Sequence, residues 1–202
     1  MKKTIIFDAG RVLFEEEWEK IDKKIKEKYG VTILVHSSGN KKAGEEYLKE
    51  AEGKGDIKKV FELLGAKPKN IPELIKDYQK EYIKNKIING GLLNLIRKLK
   101  KDYQIICLTD THKLHFEANQ SINFFKDFDK VFASHIQKIR KNNPNAFKKL
   151  LKNLKIKSNE TLFIDDNKTN VKNAKSIGIK TIHYTEFPKI RKLKKEIYKN
   201  LK

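Results

Sequence analysis

The fold of this chain is decided near its beginning, by the stretch Thr4-Ile5-Ile6-Phe7-Asp8-Ala9-Gly10-Arg11-Val12. Its apolar, β-branched residues predict a short buried strand that ends at Asp8, directly before a turn. A second stretch, Thr161-Leu162-Phe163-Ile164-Asp165-Asp166, has the same form. Ligands of open parallel sheets bind at the carboxyl ends of the strands. Carboxylates gathered there repel one another unless a cation lies among them, and Mg²⁺ accepts a few carboxylates together with water and phosphate oxygens.

Two further strands are predicted between these stretches. Residues 103–108 predict a strand that is followed by the hydroxyl of Thr109, and residues 130–133 predict a strand that precedes Lys141. The order Asp, Thr, Lys and Asp-Asp, each after a predicted strand, resembles the haloacid dehalogenase superfamily of hydrolases. Residues 90–185 are most similar to the small phosphatases of that superfamily.

The resemblance implies an α/β fold, with a Rossmann-like, three-layer core around a parallel sheet and a small all-helical cap inserted after the first motif. The residue pattern agrees, because strands and helices alternate from Gly90 onward, as they do in parallel sheets with right-handed crossovers. Residues 15–88 instead contain a helical block that is too long for one crossover. We therefore assign residues 1–14 and 89–202 to the catalytic core and residues 15–88 to the cap.

The same resemblance assigns the catalytic and metal-binding roles. Asp8 is the expected nucleophile, whose attack on phosphorus gives an aspartyl-phosphate. The expected ligands of Mg²⁺ are Asp8, the backbone carbonyl of Gly10, Asp166 as a direct ligand and Asp165 as a supporting one. Asn170, one helical turn further on, is expected to support these ligands from outside.

Two more residues complete the expected catalytic set. Thr109 is expected to donate a hydrogen bond to a phosphoryl oxygen, and Lys141 to balance the charge of Asp8 and of the phosphate. Both therefore count as substrate-binding residues. The motif around Lys141 departs from the usual one, since Lys138 stands where the family usually has Gly and Asn142 where it usually has Pro.

Three positions next to these motifs bear on the activity. Many family members carry a second Asp two residues after the nucleophile, as general acid and base, and this chain has Gly10 there. General acid–base help is worth about 10²–10⁴ in rate, so its loss predicts a slow enzyme, a preference for good leaving groups or a borrowed proton donor. Arg11 and Asp110 are candidate substrate-binding residues, and Asp110 is also a candidate substitute acid or base.

We expect Mg²⁺-dependent hydrolysis of a small phosphorylated metabolite. Three alternatives stay open at this point. The first is hydrolysis of carbon–halogen bonds, in which the Asp165-Asp166 pair would be idle. The second is a catalytically weak, metal-binding regulatory or scaffold protein. The third is a phosphatase that acts on nucleic-acid ends.

Composition narrows the class of protein. The 202 residues are 38% hydrophobic and 36% charged, with a net charge of +20, which permits a nucleic-acid partner. The lysines are spread over every predicted helix, however, which favours a generally lysine-rich composition over a nucleic-acid-binding site. No apolar run approaches the roughly 20 residues of a membrane helix, and Met1-Lys2-Lys3 is too short for a secretory signal. With a single cysteine, Cys107, a cytoplasmic location is the expectation and no membrane partner is expected.

Two minor features have ordinary explanations. His112 and His115 lie three residues apart, but no Cys or Glu near them in sequence completes a zinc site, and the loop around His36 is expected to be a surface turn. The basic, amphipathic tail after Phe187 is expected to pack against the core rather than to bind a membrane or a partner.

Overall fold

The computed structural model describes residues 2–201. Within that range seven strands are present: Thr4–Phe7 (β1), Phe14–Glu16 (β2), Lys86–Ile88 (β3), Gln104–Thr109 (β4), Lys130–Ala133 (β5), Thr161–Asp165 (β6) and Lys180–His183 (β7). The helices of the same range are Trp18–Tyr29 (α1), Lys41–Ala51 (α2), Ile57–Leu63 (α3), Ile71–Lys84 (α4), Gly90–Leu99 (α5), Lys113–Ser121 (α6), Ser134–Gln137 (α7), Pro144–Leu154 (α8), Lys168–Ser176 (α9) and Ile190–Leu201 (α10).

Five strands form one parallel sheet in the order β5-β4-β1-β6-β7. β1 lies at its centre, which explains why its four residues are all buried: a strand covered on both faces has no solvent side on which to alternate. In the register, Phe7 is level with Cys107 of β4 and Ile164 of β6. The next residue, Asp8, is therefore brought to the same edge of the sheet as the ends of β4 and β6.

Helices cover both faces of this sheet, so the predicted three-layer α/β core is confirmed. Ile5 and Phe7 pack with the apolar sides of α5 and α10 on one face. Ile6 packs on the other face, with Phe147 of α8 and Ala174 of α9. The tail helix α10 buries Leu193, Ile197 and Leu201 against the core, as the amphipathic pattern predicts.

The block between β2 and β3 is helical except at its two ends. Its helices α1, α3 and α4 bury an apolar cluster that also includes Leu114 and Ala118 of α6, and α2 packs on α3 in a smaller cluster. At the ends, Phe14 pairs with Ile88 and Glu16 with Lys86 in an antiparallel two-stranded ribbon. The prediction of an all-helical block over residues 15–88 is wrong at these ends, because three-residue strands with polar residues show no alternation that a sequence pattern could reveal.

Most other boundaries lie within a few residues of their predicted positions. The short helix α7 is absent from the predictions, since four residues give no periodic signal. The segment after α1 continues as an irregular chain into a single 3₁₀ turn, Val35–Ser37, so its exposed His36 lies on a surface turn as expected. Over residues 2–201, no helix is both long and apolar enough to span a bilayer.

Candidate active site

The ends of three neighbouring strands bring the predicted site residues together. Asp8 follows β1, Thr109 ends β4 and Asp165 ends β6, and these strands are adjacent in the order β4-β1-β6. All three side chains belong to buried residues. The carboxyl edge of the sheet, where ligands of this architecture bind, is therefore lined by two carboxylates and a hydroxyl.

Lys141 lies between the two carboxylates. It comes from the loop between α7 and α8, and its Nζ is 2.5 Å from Asp8 Oδ1 and 2.7 Å from Asp165 Oδ2. Its side chain is 1% exposed. An ammonium group can be buried to this extent only when it is paired, and the two carboxylates supply that pairing.

Asp165 and Asp166 have different surroundings although they are adjacent. Asp165 Oδ1 accepts a hydrogen bond from the backbone N–H of Asn167 at 2.7 Å. Asn170 Nδ2, in the first turn of α9, donates to Asp165 Oδ2 at 3.1 Å. Asp166 keeps 19% of its side chain exposed, and its nearest cation is Arg11, whose Nη1 is 3.7 Å from Asp166 Oδ2. Asp165 is thus bound to the protein, while Asp166 is free to bind a ligand.

Burial sets the protonation of this cluster. It raises the pKa of Asp8 to about 8, against the opposing attraction of Lys141. Burial, together with the charge of Asp165, also raises the pKa of Asp166. For Lys141 burial acts in the other direction, but the carboxylates of Asp8, Asp165 and Asp110 outweigh it and raise its pKa above the ordinary value. Lys141 is therefore protonated, and the cluster still lacks positive charge.

The donor set of this cluster fits a hard divalent cation. Asp8, Asp165 and Asp166 each offer a carboxylate oxygen, and these oxygens lie within 4.8 Å of one another. Oxygen ligands of this kind suit Mg²⁺, and an added cation would favour the ionised form of Asp8. Among residues 2–201 this is the only group of three or more candidate ligands, and it includes neither His112 nor His115.

The loop that carries Lys141 is fixed from two sides. Both oxygens of Asp110 accept from the backbone N–H of Lys141, at 3.1 and 3.2 Å, and Asn173 Nδ2 donates to the Lys141 carbonyl at 3.1 Å. Lys138, which precedes this loop, has a φ of 57°. Glycine adopts that left-handed region without steric cost, which gives the physical reason for the glycine usual at this position.

Arg11 occupies a second left-handed position, with a φ of 57° in the turn after Gly10. Its side chain is 74% exposed. It lines an open cavity of about 130 Å³ together with Glu15, Asp166 and Thr185. Strained backbone of this kind concentrates at functional sites, and here it places a guanidinium beside the carboxylate cluster.

A second buried contact joins the helical block to the core and is absent from the sequence predictions. Glu50 of α2 pairs through Oε2 with His112 Nδ1, and its Oε1 accepts from the backbone N–H of Lys113 at 3.0 Å. The ring of Tyr47 stacks on His112 with centroids 3.6 Å apart. Glu50 and His112 are 62 positions apart, so no local pattern could indicate the pair.

An acidic and a basic residue are also placed opposite each other in the ribbon. Glu16 and Lys86 face each other across β2 and β3, and Lys86 Nζ lies 4.0 Å from the ring centroid of Phe14 and 4.1 Å from that of Tyr82. Burial raises the pKa of Glu16 to about 7, against the attraction of Lys86. Burial also lowers the pKa of Lys86 to about 8, against the attraction of Glu16. The connection between the helical block and the sheet therefore contains ionisable groups of its own.

The chain resembles several known proteins. A sesquiterpene phosphatase of Aspergillus oryzae is 27% identical over 100 residues, which are 48% of this chain and 51% of that protein, so the chain spans about half the length of this relative. A HAD-family enzyme from Bacteroides thetaiotaomicron, crystallised with magnesium and inorganic phosphate, is 22% identical with a TM-score of 0.74, covering 96% of this chain and 99% of the other. A HAD-like hydrolase from Porphyromonas gingivalis is 22% identical with a TM-score of 0.77 over 98% of both chains.

At these identities the two crystal structures establish the fold alone. The family model for haloacid dehalogenase-like hydrolases matches residues 2–178. That range includes Asp8, Thr109, Lys141 and the Asp165-Asp166 pair. The chain therefore belongs to the haloacid dehalogenase-like hydrolase family.

Proposed function

We propose that this chain hydrolyses phosphate monoesters with Mg²⁺, through an aspartyl-phosphate on Asp8. The observation that carries the proposal is the buried cluster in which Lys141 contacts Asp8 and Asp165 while Asp166 stays open to a ligand. The A. oryzae relative is a phosphatase, and the B. thetaiotaomicron enzyme was crystallised with magnesium and phosphate. Both agree with this chemistry.

In the first step a carboxylate oxygen of Asp8 forms a bond to phosphorus, and the bond from phosphorus to the ester oxygen breaks. In the second step water attacks the same phosphorus, which releases inorganic phosphate and restores the carboxylate. Lys141 orients Asp8 and favours its ionised form, as a bound cation would further, and Thr109 donates to a phosphoryl oxygen. Asp110 acts through Lys141, because both of its oxygens hold the Lys141 backbone.

The proposed metal ligands are Asp8, Asp166 and the carbonyl of Gly10, with Asp165 in support. When bound there, Mg²⁺ would offset charge on the phosphoryl group and align it for in-line attack. Arg11, exposed beside Asp166, is placed to contact a substrate anion. We propose residues 15–88 as a cap that covers this edge and excludes water, as closing elements of enzymes commonly do.

Gly10 determines which esters this site can cleave. Gly10 stands where many family members have a general acid, and it has no side chain to donate a proton. The leaving oxygen must therefore take its proton from water or depart as a stable anion. A Cβ added at Gly10 meets no atom within 4 Å and its φ lies outside the left-handed region, so neither the backbone nor the first side-chain atom opposes a substitution there. Gly10→Asp is therefore a clean probe of the missing acid.

The first experiment measures phosphate release from p-nitrophenyl phosphate, a substrate with a good leaving group, with and without Mg²⁺. We expect Mg²⁺-dependent release by the wild type and by Asp102→Asn, an exposed control, and none by Asp8→Asn. Mass spectrometry should detect phosphate on Asp8 in the wild type. Release that persists in Asp8→Asn would contradict the proposal.

The strongest alternative is a catalytically weak binding protein, which the missing general acid favours. Phenyl phosphate, which has a poorer leaving group, separates the two functions. If the site is an enzyme suited to good leaving groups, Gly10→Asp should raise turnover of phenyl phosphate by about 10²-fold or more and that of p-nitrophenyl phosphate by less. Absence of turnover of either ester by both proteins would favour the binding function.

A further inference from the structure

The positive charge of this protein is distributed unevenly between its two parts. Residues 14–89 carry 17 basic and 15 acidic side chains, so 29 of the 46 basic residues and only 11 of the 26 acidic residues lie in the rest of the chain. Basic residues are equally frequent in the two parts, 17 of 76 residues and 29 of 126, so the difference lies in the acidic residues that offset them. The core carries almost the whole excess.

Within the core, the excess is greatest on the layer formed by α8 and α9. Between residues 138 and 180 there are 12 basic residues and 3 acidic ones, of which two are Asp165 and Asp166 of the site. The exposed lysines of this layer are Lys148, Lys149, Lys152, Lys155, Lys157, Lys168, Lys172, Lys175 and Lys180, and we call their surface the α8–α9 face.

Some lysines of the helical block have acidic partners. Lys28 of α1 bonds Glu73 and Asp77, and Lys59 of α3 pairs with Glu46. Over residues 2–201, no lysine of the α8–α9 face forms an ion pair. The face is therefore a field of unneutralised charge, which attracts a polyanion at long range.

We infer that the α8–α9 face binds the phosphate backbone of a nucleic-acid duplex. α8 and α9 lie together on one side of the sheet, and an 11-residue helix such as α8 is about 16 Å long. A duplex presents one phosphate charge per about 1.7 Å of its axis, so several phosphates fall within reach of this face. Both helices begin next to the catalytic edge, α8 after Lys141 and α9 after Asp166.

The chemistry of the face selects this partner over the others. None of the large exposed hydrophobic residues of the described chain lies on α8 or α9, so the face has no side chain to insert into a lipid surface or to stack on unpaired bases. Its charges are lysines, which contact phosphate as point charges rather than reading bases in bidentate fashion. The binding is therefore independent of sequence and sensitive to salt.

The test compares two quadruple variants that lose the same charge. The face variant carries Lys148→Gln, Lys152→Gln, Lys172→Gln and Lys175→Gln. The control variant carries Lys26→Gln, Lys41→Gln, Lys58→Gln and Lys76→Gln, all exposed in the helical block. Fluorescence anisotropy of labelled DNA and RNA duplexes of about 20 base pairs is followed between about 50 and 200 mM salt.

We expect the wild type to bind at least one duplex with a steep salt slope. The face variant should bind at least ~10-fold more weakly at low salt, with its slope reduced by about 3–4, whereas the control variant should keep most of both. An equal loss of duplex affinity in the two variants would mean that net charge alone drives binding, which would overturn the inference. So would salt-independent binding, or binding to anionic vesicles without binding to either duplex.

Folding and catalysis are checked separately. Both variants change only exposed side chains, so thermal unfolding followed by circular dichroism should match the wild type. Turnover of p-nitrophenyl phosphate should also be unchanged, because none of the eight lysines belongs to the catalytic cluster. Duplex binding tests the inference independently of turnover, so the result holds even if the protein hydrolyses no phosphate ester.

Discussion

Two kinds of buried charge cluster occur in this molecule, and their charge balance differs. At the edge of the sheet, the one buried ammonium group, that of Lys141, contacts Asp8 and Asp165, while the third carboxylate, Asp166, has only the exposed Arg11 near it. At the contact between the helical block and the core, each acid has its own basic partner, with Glu50 on His112 and Glu16 opposite Lys86. A balanced cluster is complete within the protein, while an unbalanced one is completed by a ligand. Charge balance thus separates the functional cluster from the structural ones.

The largest effect is expected from removing the one cation of the unbalanced cluster. Lys141→Met leaves Asp8 and Asp165 buried without a partner, and breaking a buried pair in this way costs about 3–5 kcal/mol. Urea unfolding at neutral pH should detect this loss, and turnover should vanish. Lys148→Met, at an exposed position of α8, should change neither. A Lys141→Met protein as stable as the wild type would mean that the cluster is not held by this charge.

Binding of Mg²⁺ to the unbalanced cluster should stabilise the folded protein. A ligand that binds only the folded state at about 100 times its Kd stabilises by about 2.7 kcal/mol, and one kcal/mol corresponds to about 2–4 °C for a chain of this size. We therefore expect Mg²⁺ to raise Tm by roughly 5–10 °C in the wild type. The shift should be lost in Asp166→Asn and kept in the exposed control Asp102→Asn. An equal shift in all three proteins would place the ion elsewhere.

Breaking a balanced cluster should cost stability without affecting the ion. Glu50→Ala leaves His112 and the Lys113 N–H without their buried acceptor, and an unsatisfied buried polar group costs about 1–3 kcal/mol. Glu45→Ala, an exposed glutamate on the same helix, should cost little. The Mg²⁺-dependent rise in Tm should be the same in both variants. A Glu50→Ala protein that loses this rise would show that the contact belongs to the functional cluster.

The smallest effect is expected from the ribbon pair, and it depends on pH. The pKa of Glu16 rises from 4.5 to about 7 on folding, so the folded state binds the extra proton in that range and stability falls as pH increases. The pKa of Lys86 falls from 10.5 to about 8, so the unfolded state binds the extra proton between those values and stability rises with pH. Glu15 and Tyr82 also act on Glu16.

Glu16→Gln with Lys86→Met should remove both slopes. Its stability relative to the wild type is therefore expected to be greatest between about pH 7 and 8, and to decline toward pH 4.5 and pH 10.5. Urea unfolding across this range measures the difference. The same double change at the more exposed pair, Glu17→Gln with Lys20→Met, serves as the control, because exposed pairs contribute little to stability. A difference that does not vary with pH would mean that burial does not perturb the ribbon pair.

The proposed catalytic cluster and the balanced contacts differ in how far the sequence predicts them. Asp8, Thr109 and the Asp165-Asp166 pair each end an apolar strand, and parallel strands place their carboxyl ends together whatever the details of packing. Order along the chain was therefore enough to predict them as one site. No local sequence pattern marks the other two pairs: the docking of the helical block on the core brings Glu50 to His112, and the ribbon at the ends of the block places Glu16 opposite Lys86.

Apolar strands, their order and the residues at their ends are properties of the sequence itself, because burial and the handedness of crossovers leave few arrangements for alternating strands and helices. These properties were enough to predict the α/β core, the helical insertion and the family. Other features depend on contacts between distant residues: the ribbon of Phe14–Glu16 with Lys86–Ile88, the use of Asp110 to hold Lys141, and the gathering of unpaired lysines on α8 and α9. The tertiary structure decided these, because burial and charge pairing are set by neighbours in space.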